Sequence, residues 1–172
     1  GGAIILGQSG RAKLINVTMY GNWAEWGGAL KCYLSPVLLI NSIMRNNTAT
    51  QYTDQCIIDA LYSNIEGGME GIGNIDADPL FTDPSNLDYS LSWDSFPYED
   101  ETKSPCTDTG TAFFVYEEGL HGYWSGDTLI DLNSNEYYGF APEMGAVEWY
   151  PEQLGDVNLD DTINVQDIVL LV

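Results

Sequence analysis

The chain is poor in basic residues. Five Lys and Arg stand against 26 Asp and Glu, with a single His, for a formal net charge of -21. A surface of this charge repels polyanions, which disfavours nucleic acid, anionic membranes and polyanionic substrates as partners. It suits cations, above all Ca²⁺, which prefers hard oxygen ligands. Solubility in extracellular or salty water is a plainer interpretation of the same charge.

Cysteine and long apolar runs are also scarce. The three cysteines Cys32, Cys56 and Cys106 form no C-x-x-C pair, which argues against a zinc site. Their odd number leaves at least one thiol unpaired, and we expect buried structural cysteines. No apolar run reaches the roughly eighteen residues of a membrane-spanning helix, so no membrane span is predicted.

The sequence does contain an internal repeat, because residues 1–26 align with residues 27–52. GGA opens both copies, and LIN at residues 14–16 returns at residues 39–41. A third, weaker copy continues through residues 61–65. Each unit alternates short β-rich runs with Gly, Asn and Ser turns and is too small to bury its own apolar face. The units must therefore stack on one another.

Stacked units of this kind predict a parallel β-solenoid, in which the strands of successive coils pair about 4.8 Å apart. Equivalent residues then form ladders, with Ile15 over Ile40 over Tyr62. Asn16 over Asn41 would form a second ladder, with amides hydrogen-bonded along the stack. A leucine-rich repeat has a similar period, but its leucine phrase and helix signal are missing.

The same stacking would place Cys32 and Cys56 on neighbouring coils. That separation permits a disulfide. Two buried thiols are nevertheless our expectation for this pair.

The phrases GGAI…LINVTMYGN and GGAL…LINSIMRNN resemble the right-handed parallel β-helix repeats of secreted bacterial proteins, which are related in fold to pectate lyases and polymorphic outer-membrane proteins. Three later phrases resemble the way in which many such chains end: NIDADPLF at 74–81, KSPCTDTG at 103–110 and APEMGAVE at 141–148. In the last of them, Glu143 stands where Asp is more usual. The resemblance covers residues 1 to about 150.

We therefore predict a mainly β fold in three parts. A right-handed parallel β-helix (solenoid) is expected over residues 1–73, its C-terminal cap over 74–150, and a partial EF-hand-like calcium loop with a helix start over 151–172. A cap is needed because the last coil would expose an open sheet edge that invites aggregation. The run TLIDL at residues 128–132 is predicted to be a strand within the cap.

Residues 156–167 match the twelve-residue calcium loop of EF-hands in the spacing of their oxygen-bearing side chains. Side-chain ligands are predicted at five positions, and a backbone carbonyl at a sixth. These are Asp156, Asn158, Asp160, Asn164 and Asp167, with Thr162 offering the carbonyl. Two positions depart from the pattern. Asp161 replaces the usual turn glycine, and Asp167 replaces the longer Glu that makes bidentate contact more easily.

The segment GDVNLDDTINVQDIVLLV, residues 155–172, resembles one repeat of a dockerin. Dockerins pair two such calcium loops and bind cohesin modules, which attaches secreted polysaccharide-degrading enzymes to scaffolds or cell surfaces. The resemblance implies Ca²⁺ as the cofactor, the same five side-chain ligands, and a cohesin-like partner. It places Val165 and Gln166 at the partner-recognition positions, although this pair is not the Ser-Thr often found there. A second repeat would begin just past Val172.

Candidate catalytic groups are sparse, and no catalytic residue is assigned. Asp76 and Asp78 would share a face of a strand and could pair, but carboxylates that cap turns beside Pro79 are the favoured interpretation. His121 has no Ser or Cys partner in a recognisable pattern.

Three tryptophans, Trp23, Trp26 and Trp124, are candidates for stacking on sugar rings. Aromatic side chains in solenoid turns more often serve packing, which is the favoured interpretation here.

The predicted function is attachment or assembly by a non-catalytic segment of a secreted or cell-surface bacterial protein, in the context of polysaccharide degradation or the cell surface. A cohesin-like domain, a surface scaffold or a polysaccharide would be the partner. Part of a polysaccharide lyase or glycoside hydrolase, with its active site on coils before Gly1, is one alternative. An adhesin is another, and it predicts an exposed aromatic or apolar stripe.

Substituting the first loop ligand tests the calcium prediction. Calcium titration of the chain extended past Val172 should show saturable binding, and Asp156→Ala should abolish it because calcium needs about six to eight oxygens. Saturable binding that persists in Asp156→Ala would show that the ligand assignment is wrong.

Overall fold

The computed structural model of the chain describes residues 2–8, 10–48, 50–53, 55–115, 123–124 and 126–150. These residues are mainly β, with a 3-10 helix at Pro84–Asn86. The strands in chain order are β1 Ile4–Leu6, β2 Ala12–Ile15, β3 Thr18–Tyr20, β4 Leu30–Cys32, β5 Ser35–Ile40, β6 Ile43–Arg45, β7 Cys56–Leu61, β8 Asn64–Ile65, β9 Phe81–Asp83, β10 Asp88–Leu91, β11 Phe113–Val115 and β12 Thr128–Asp131.

Parallel strands from successive copies of the repeat pair with one another. The pairs run β1 with β4, β2 with β5 and then β7, and β3 with β6 and then β8. Ala12 pairs with Val37, and Thr18 pairs with Ile43, so the first two copies lie side by side in the register of the sequence alignment. Short runs of β-branched and apolar residues favour strands at these positions.

The predicted isoleucine ladder holds for its first two members only. Ile15 pairs with Ile40, but the third residue of the row is Leu61 rather than Tyr62. Tyr62 instead has the left-handed backbone, φ 48°, that Asn41 has one copy earlier. The third copy is therefore shifted by one residue from the alignment read in the sequence.

The prediction of a right-handed parallel β-helix is wrong. In the described ranges the strands form five small separate sheets of two or three strands, and none of these is a closed or solenoid sheet. Beyond β8 the parallel pairing is reduced to an isolated bridge between Asn64 and Ile75. The later strands pair antiparallel, β9 with β10 and β11 with β12. The predicted calcium loop and helix start, in residues 151–172, lie outside the described residues.

Strand β5 is buried on both faces, which explains its continuous apolar sequence. Val37 points into a core between the parallel sheets. Leu38 and Ile40, on the opposite face, pack against Trp124 and Leu129. Leu129 belongs to β12, so the strand predicted within residues 128–132 is confirmed, and it helps to cover the outer face of β5.

Cys32 and Cys56 form a disulfide, with Cα atoms 4.7 Å apart. The expectation of two buried thiols is therefore wrong for this pair. Cys106 is a free, buried thiol, as expected for the odd cysteine. Desolvation on burial raises the pKa of Cys106 to about 11, so the thiol stays protonated at neutral pH.

Asn41 ties the repeat to the later part of the chain. Its fully buried side chain donates from Nδ2 to the carbonyl of Thr111 at 2.9 Å and accepts at Oδ1 from the Thr111 N–H at 2.8 Å. Its backbone carbonyl accepts from the Gly145 N–H at 2.8 Å. One side-chain amide thus bonds both the N–H and the C=O of Thr111, as the backbone of a neighbouring strand would.

The amide ladder predicted for Asn16 over Asn41 is wrong, because the Asn41 amide is occupied by Thr111. A contact of this kind occurs further along the repeat. There Asn22 donates from Nδ2 to Oδ1 of Asn47 at 2.9 Å.

Replacing Asn41 with Gly should destabilise the fold. Gly keeps the left-handed backbone but removes the amide, and the orphaned Thr111 groups should lower the free energy of unfolding by about 2–5 kcal/mol. Urea denaturation measures the loss. Asn46→Gly is the matched control, because Asn46 is exposed with φ 54° and its side chain makes no described hydrogen bond. Equal effects of the two substitutions would contradict the role assigned to Asn41.

Candidate functional site

The residues predicted to bind calcium and a partner all lie outside the described residues. These are Asp156, Asn158, Asp160, Thr162, Asn164, Val165, Gln166 and Asp167. Within the described ranges, no group of three or more His, Cys, Asp or Glu side chains is placed to hold a metal ion. The same part of the chain contains no helix long and apolar enough to cross a membrane.

A cluster of three aromatic rings forms the floor of a cleft in the second half of the chain. The ring centroids of Trp93 and Phe96 are 5.0 Å apart, and Trp149 lies 5.0 Å from Trp93 and 5.1 Å from Phe96. Edge-to-face and tilted contacts of this kind stabilise ring clusters. Trp93 is further fixed by its Nε1–H, which donates to the carbonyl of Tyr98 at 3.0 Å.

More exposed aromatic side chains border this floor. Tyr138 lies 6.2 Å from Trp149 between ring centroids and 6.0 Å from Tyr150. Tyr138 is 39% exposed, and Phe140 is 96% exposed. We call the surface formed by Trp93, Phe96, Tyr138, Phe140, Trp149 and Tyr150 the aromatic cleft.

The aromatic cleft has two adjoining hollows that share Trp93, Phe96 and Trp149. One has a volume of about 740 Å³ and is also lined by Ser90, Ser92, Asp94, Glu148 and Tyr150, among others. The other has a volume of about 360 Å³ and is also lined by Asp108, Tyr138, Gly139, Phe140 and Glu143. Both hollows therefore combine ring faces with hydrogen-bonding groups, the composition expected of a small-molecule site.

Two carboxylates hold the loop that carries the exposed rings. Glu148 accepts at Oε1 from the Tyr138 N–H at 2.7 Å. Asp108 accepts at Oδ1 from the Phe140 N–H, also at 2.7 Å. The loop bearing Tyr138 and Phe140 is thus positioned by two backbone N–H groups that donate to carboxyl side chains.

Glu143 is a buried carboxyl group beside the smaller hollow, and its pKa is strongly raised. It is only 2% exposed, and its Oε2 has no hydrogen-bond partner among the described residues. Desolvation on burial, followed by the neighbouring carboxylates of Glu148 and Asp108, raises the pKa of Glu143 to about 9. Glu143 is therefore a neutral carboxylic acid at neutral pH, next to the carboxyl group of Glu148.

Lys103 is the cation of the cleft. Its Nζ lies 4.1 Å from the centroid of the Trp93 ring, 2.7 Å from Glu99 Oε1 and 3.8 Å from Asp108 Oδ2. Its charge is thus already shared between two carboxylates and one ring face.

The ring faces and polar groups of the aromatic cleft favour a flat ligand with polar edges. The ring faces offer apolar platforms, and the serine hydroxyls and carboxylates around them offer hydrogen bonds. A sugar ring has this character, since its C–H faces are apolar and its hydroxyls project from the edge.

The aspartate pair considered as a catalytic candidate is not brought together for chemistry. Asp76 pairs with Arg45 and accepts from the Gly67 N–H, and the hydrogen bond and charge of Arg45 hold the pKa of Asp76 below its usual value. Asp78 accepts at Oδ1 from the Leu80 N–H at 3.0 Å. The favoured interpretation, carboxylates that cap turns beside Pro79, is confirmed for Asp78, whereas Asp76 forms an ion pair with Arg45.

The packing role expected for the three tryptophans holds for one of them. Trp124 is buried against β5, as a packing role requires. Trp23 and Trp26 are 77% and 63% exposed, so the packing role expected for them is wrong. His121 lies outside the described residues.

None of the sequence motifs predicts the aromatic cleft. The phrase at residues 141–148 resembles a chain-terminal motif, and Glu143 departs from it, but neither feature indicates a cleft. The usable signal was the clustering of aromatic residues just outside the noted phrases, in SWDSFPY at 92–98 and VEWY at 147–150. Their meeting depends on contacts across some fifty residues of chain, which no local pattern reveals.

Comparison of the chain with family models, with curated proteins and with solved structures found no match. The resemblance to dockerins therefore rests on residues 155–172 alone, and the function must be argued from the chemistry of the described residues.

Glu143→Gln should change the pH dependence of stability. Because the pKa of Glu143 rises from 4.5 to about 9 on folding, the folded state retains a proton that the unfolded state releases between those values. The free energy of unfolding should therefore fall as pH rises through this window, by at most about 1.4 kcal/mol per pH unit, and level off above it. Glu143→Gln should remove this contribution to the decrease in the free energy of unfolding with pH.

Urea denaturation between about pH 5 and about pH 8.5 measures this slope. Glu70→Gln is the control, since Glu70 is exposed and its side chain makes no described contact. A slope that Glu143→Gln leaves unchanged would show that the Glu143 carboxyl is ionised in the folded protein.

Proposed function

We propose that this chain is a carbohydrate-binding attachment segment of an extracellular protein, and that the aromatic cleft is its binding site. The observation that carries the proposal is the floor of Trp93, Phe96 and Trp149 rings beside exposed Tyr138 and Phe140. Ring platforms bordered by hydrogen-bonding groups suit pyranose sugars. The predicted setting of polysaccharide degradation or the cell surface agrees with such a ligand.

Burial and charge support a site for sugar binding. Phe140 is almost fully exposed, although its backbone is fixed by Asp108. An apolar ring held out in water costs solvation free energy unless a ligand covers it. Ser90 and Ser92 line the larger hollow and add hydroxyl groups that donate and accept hydrogen bonds.

The disulfide between Cys32 and Cys56 supports the extracellular part of the proposal. Disulfides persist in oxidising compartments and are rare where thiols are kept reduced. The net charge of -21 fits the same setting, because it keeps a secreted protein soluble.

Calcium-dependent attachment through residues 156–167 is a second proposed function of the same chain. It is supported by the spacing of five carboxylate and amide side chains in the sequence. Glycan binding by the cleft and cohesin-like docking by the calcium loop would serve one purpose, which is to hold the protein on a polysaccharide surface. The calcium titration of Asp156→Ala tests this second function separately from the first.

Removing the exposed rings should weaken glycan binding and leave the fold intact. Phe140→Ala and Tyr138→Ala should each lower the affinity for a bound oligosaccharide about tenfold, as loss of about 1.4 kcal/mol of stacking implies. A glycan array with the wild-type chain identifies the oligosaccharide, and isothermal titration then measures the affinity of each variant.

Matched controls are available for both rings. Phe113 and Tyr33 are exposed and lie away from the cleft, so Phe113→Ala and Tyr33→Ala should bind like the wild type. If no glycan binds the wild-type chain, or if the controls lose affinity as the cleft variants do, the proposal fails.

A further inference from the structure

The two hollows of the aromatic cleft differ in the groups that they offer a ligand. Five of the eight residues that line the smaller hollow carry aromatic rings, and the others are Asp108, Gly139 and Glu143. The larger hollow shares three of these rings, but its further lining includes Thr82, Ser90, Ser92, Asp94, Glu148 and Tyr150. One hollow is therefore mainly a surface of rings, and the other combines rings with polar side chains.

The two carboxyl groups of the smaller hollow are engaged within the fold. Glu143 is only 2% exposed. The side chain of Asp108 is 14% exposed, its Oδ1 accepts from the Phe140 N–H at 2.7 Å, and its Oδ2 lies 3.8 Å from the Lys103 Nζ. Among its described lining residues, the smaller hollow therefore presents ring faces to a ligand and few groups that could bond a sugar hydroxyl.

The larger hollow presents polar groups that a ligand can reach. Thr82 and Asp94 are exposed, and Ser90 and Ser92 are half-buried. Hydroxyl groups both donate and accept hydrogen bonds, and a carboxylate accepts several. A sugar in this hollow can therefore replace bonds from its hydroxyls to water with bonds to these side chains.

An aromatic group suits the smaller hollow better than a sugar does. Pairs of aromatic rings in edge-to-face or offset contact gain stability beyond their buried area, whereas hydroxyls buried there without partners lose it. The volume of about 360 Å³ leaves ample room, since a cavity of about 150 Å³ already holds benzene. Phe140, which is 96% exposed, would be partly covered by such a group. An unsubstituted oligosaccharide can also cover these rings, but its hydroxyls find few partners.

We propose that the aromatic cleft binds glycans that carry an aromatic group on a sugar, as a glycoside or an ester, with the aromatic group in the smaller hollow and the sugar in the larger one. This inference rests on the proposed function, since it names the ligand class of the same site. Trp93, Phe96 and Trp149 line both hollows, so a ligand that joins the two groups stays on one floor of rings.

Matched pairs of small glycosides test this division directly. Isothermal titration with the whole chain compares the phenyl and methyl β-glycosides of glucose, galactose, mannose and xylose. For the sugar that fits the larger hollow, the phenyl glycoside should bind at least about tenfold more tightly, because only the phenyl group reaches the smaller hollow. If no phenyl glycoside binds more tightly than its methyl partner, the inference is overturned. Binding on the glycan array would then still support the proposed function, whereas its absence would refute both.

Variants assign each part of the ligand to a hollow. Phe140→Ala and Tyr138→Ala should each reduce the preference for the phenyl glycoside several-fold and change the affinity for the methyl glycoside little. Asp94→Ala alters the larger hollow alone, so it should weaken both glycosides by a similar factor and leave the preference intact. A preference that survives both ring substitutions would overturn the inference.

The control for the ring substitutions is Phe113→Ala. Phe113 is an exposed ring on β11 that lines neither hollow, so this variant should bind both glycosides like the wild type. The melting temperature of each variant checks that it folds. A loss of the phenyl preference in Phe113→Ala equal to that in Phe140→Ala would also overturn the inference.

An aromatic alcohol separates glycan recognition from the capture of any aromatic molecule. 2-Phenylethanol carries the ring without the sugar and leaves the polar groups of the larger hollow unused. It should therefore bind at least about tenfold more weakly than the phenyl glycoside of the preferred sugar. Equal affinity for the two compounds would overturn the inference, because the sugar would then contribute nothing to binding.

Discussion

A buried amide forms the central hydrogen-bonded contact between the repeat and the later part of this protein. The side chain of Asn41 satisfies both peptide groups of Thr111, and its backbone carbonyl accepts from Gly145. Asn41 follows β5 in the left-handed backbone conformation, φ 48°, and its side chain reaches Thr111 from there. Without these bonds, two partly buried peptide groups of Thr111 would have no partner, and the later segment would lose one of its contacts with the repeat.

Apolar contacts also join the strands of the repeat to the later part of the chain. Strand β5 packs on one face within the parallel sheets and on the other against Trp124 and Leu129. Ile43, on the neighbouring strand β6, packs with Cys106 and Met144. Small sheets of two or three strands bury little area by themselves. Their stability therefore depends on the later segments that cover them.

The segments that cover the repeat also form the aromatic cleft. The closing loop is held by Asp108 and Glu148, which accept backbone N–H bonds, and the same carboxylates lie beside the buried acid Glu143. Burial first, and then the neighbouring carboxylates, raise the pKa of Glu143.

The sequence alone determined the repeat, its parallel register between the first two copies and the strand at residues 128–132, because apolar spacing and turn residues act locally. It did not determine how far the stacking extends, since the third copy shifts by one residue and the ladder from Ile40 continues to Leu61. Only the tertiary structure decided that Cys32 and Cys56 pair, that Trp23 is exposed while Trp124 is buried, and that Trp93 meets Trp149. Each of these depends on contacts between residues far apart in the chain, and such contacts leave no periodic trace in the sequence.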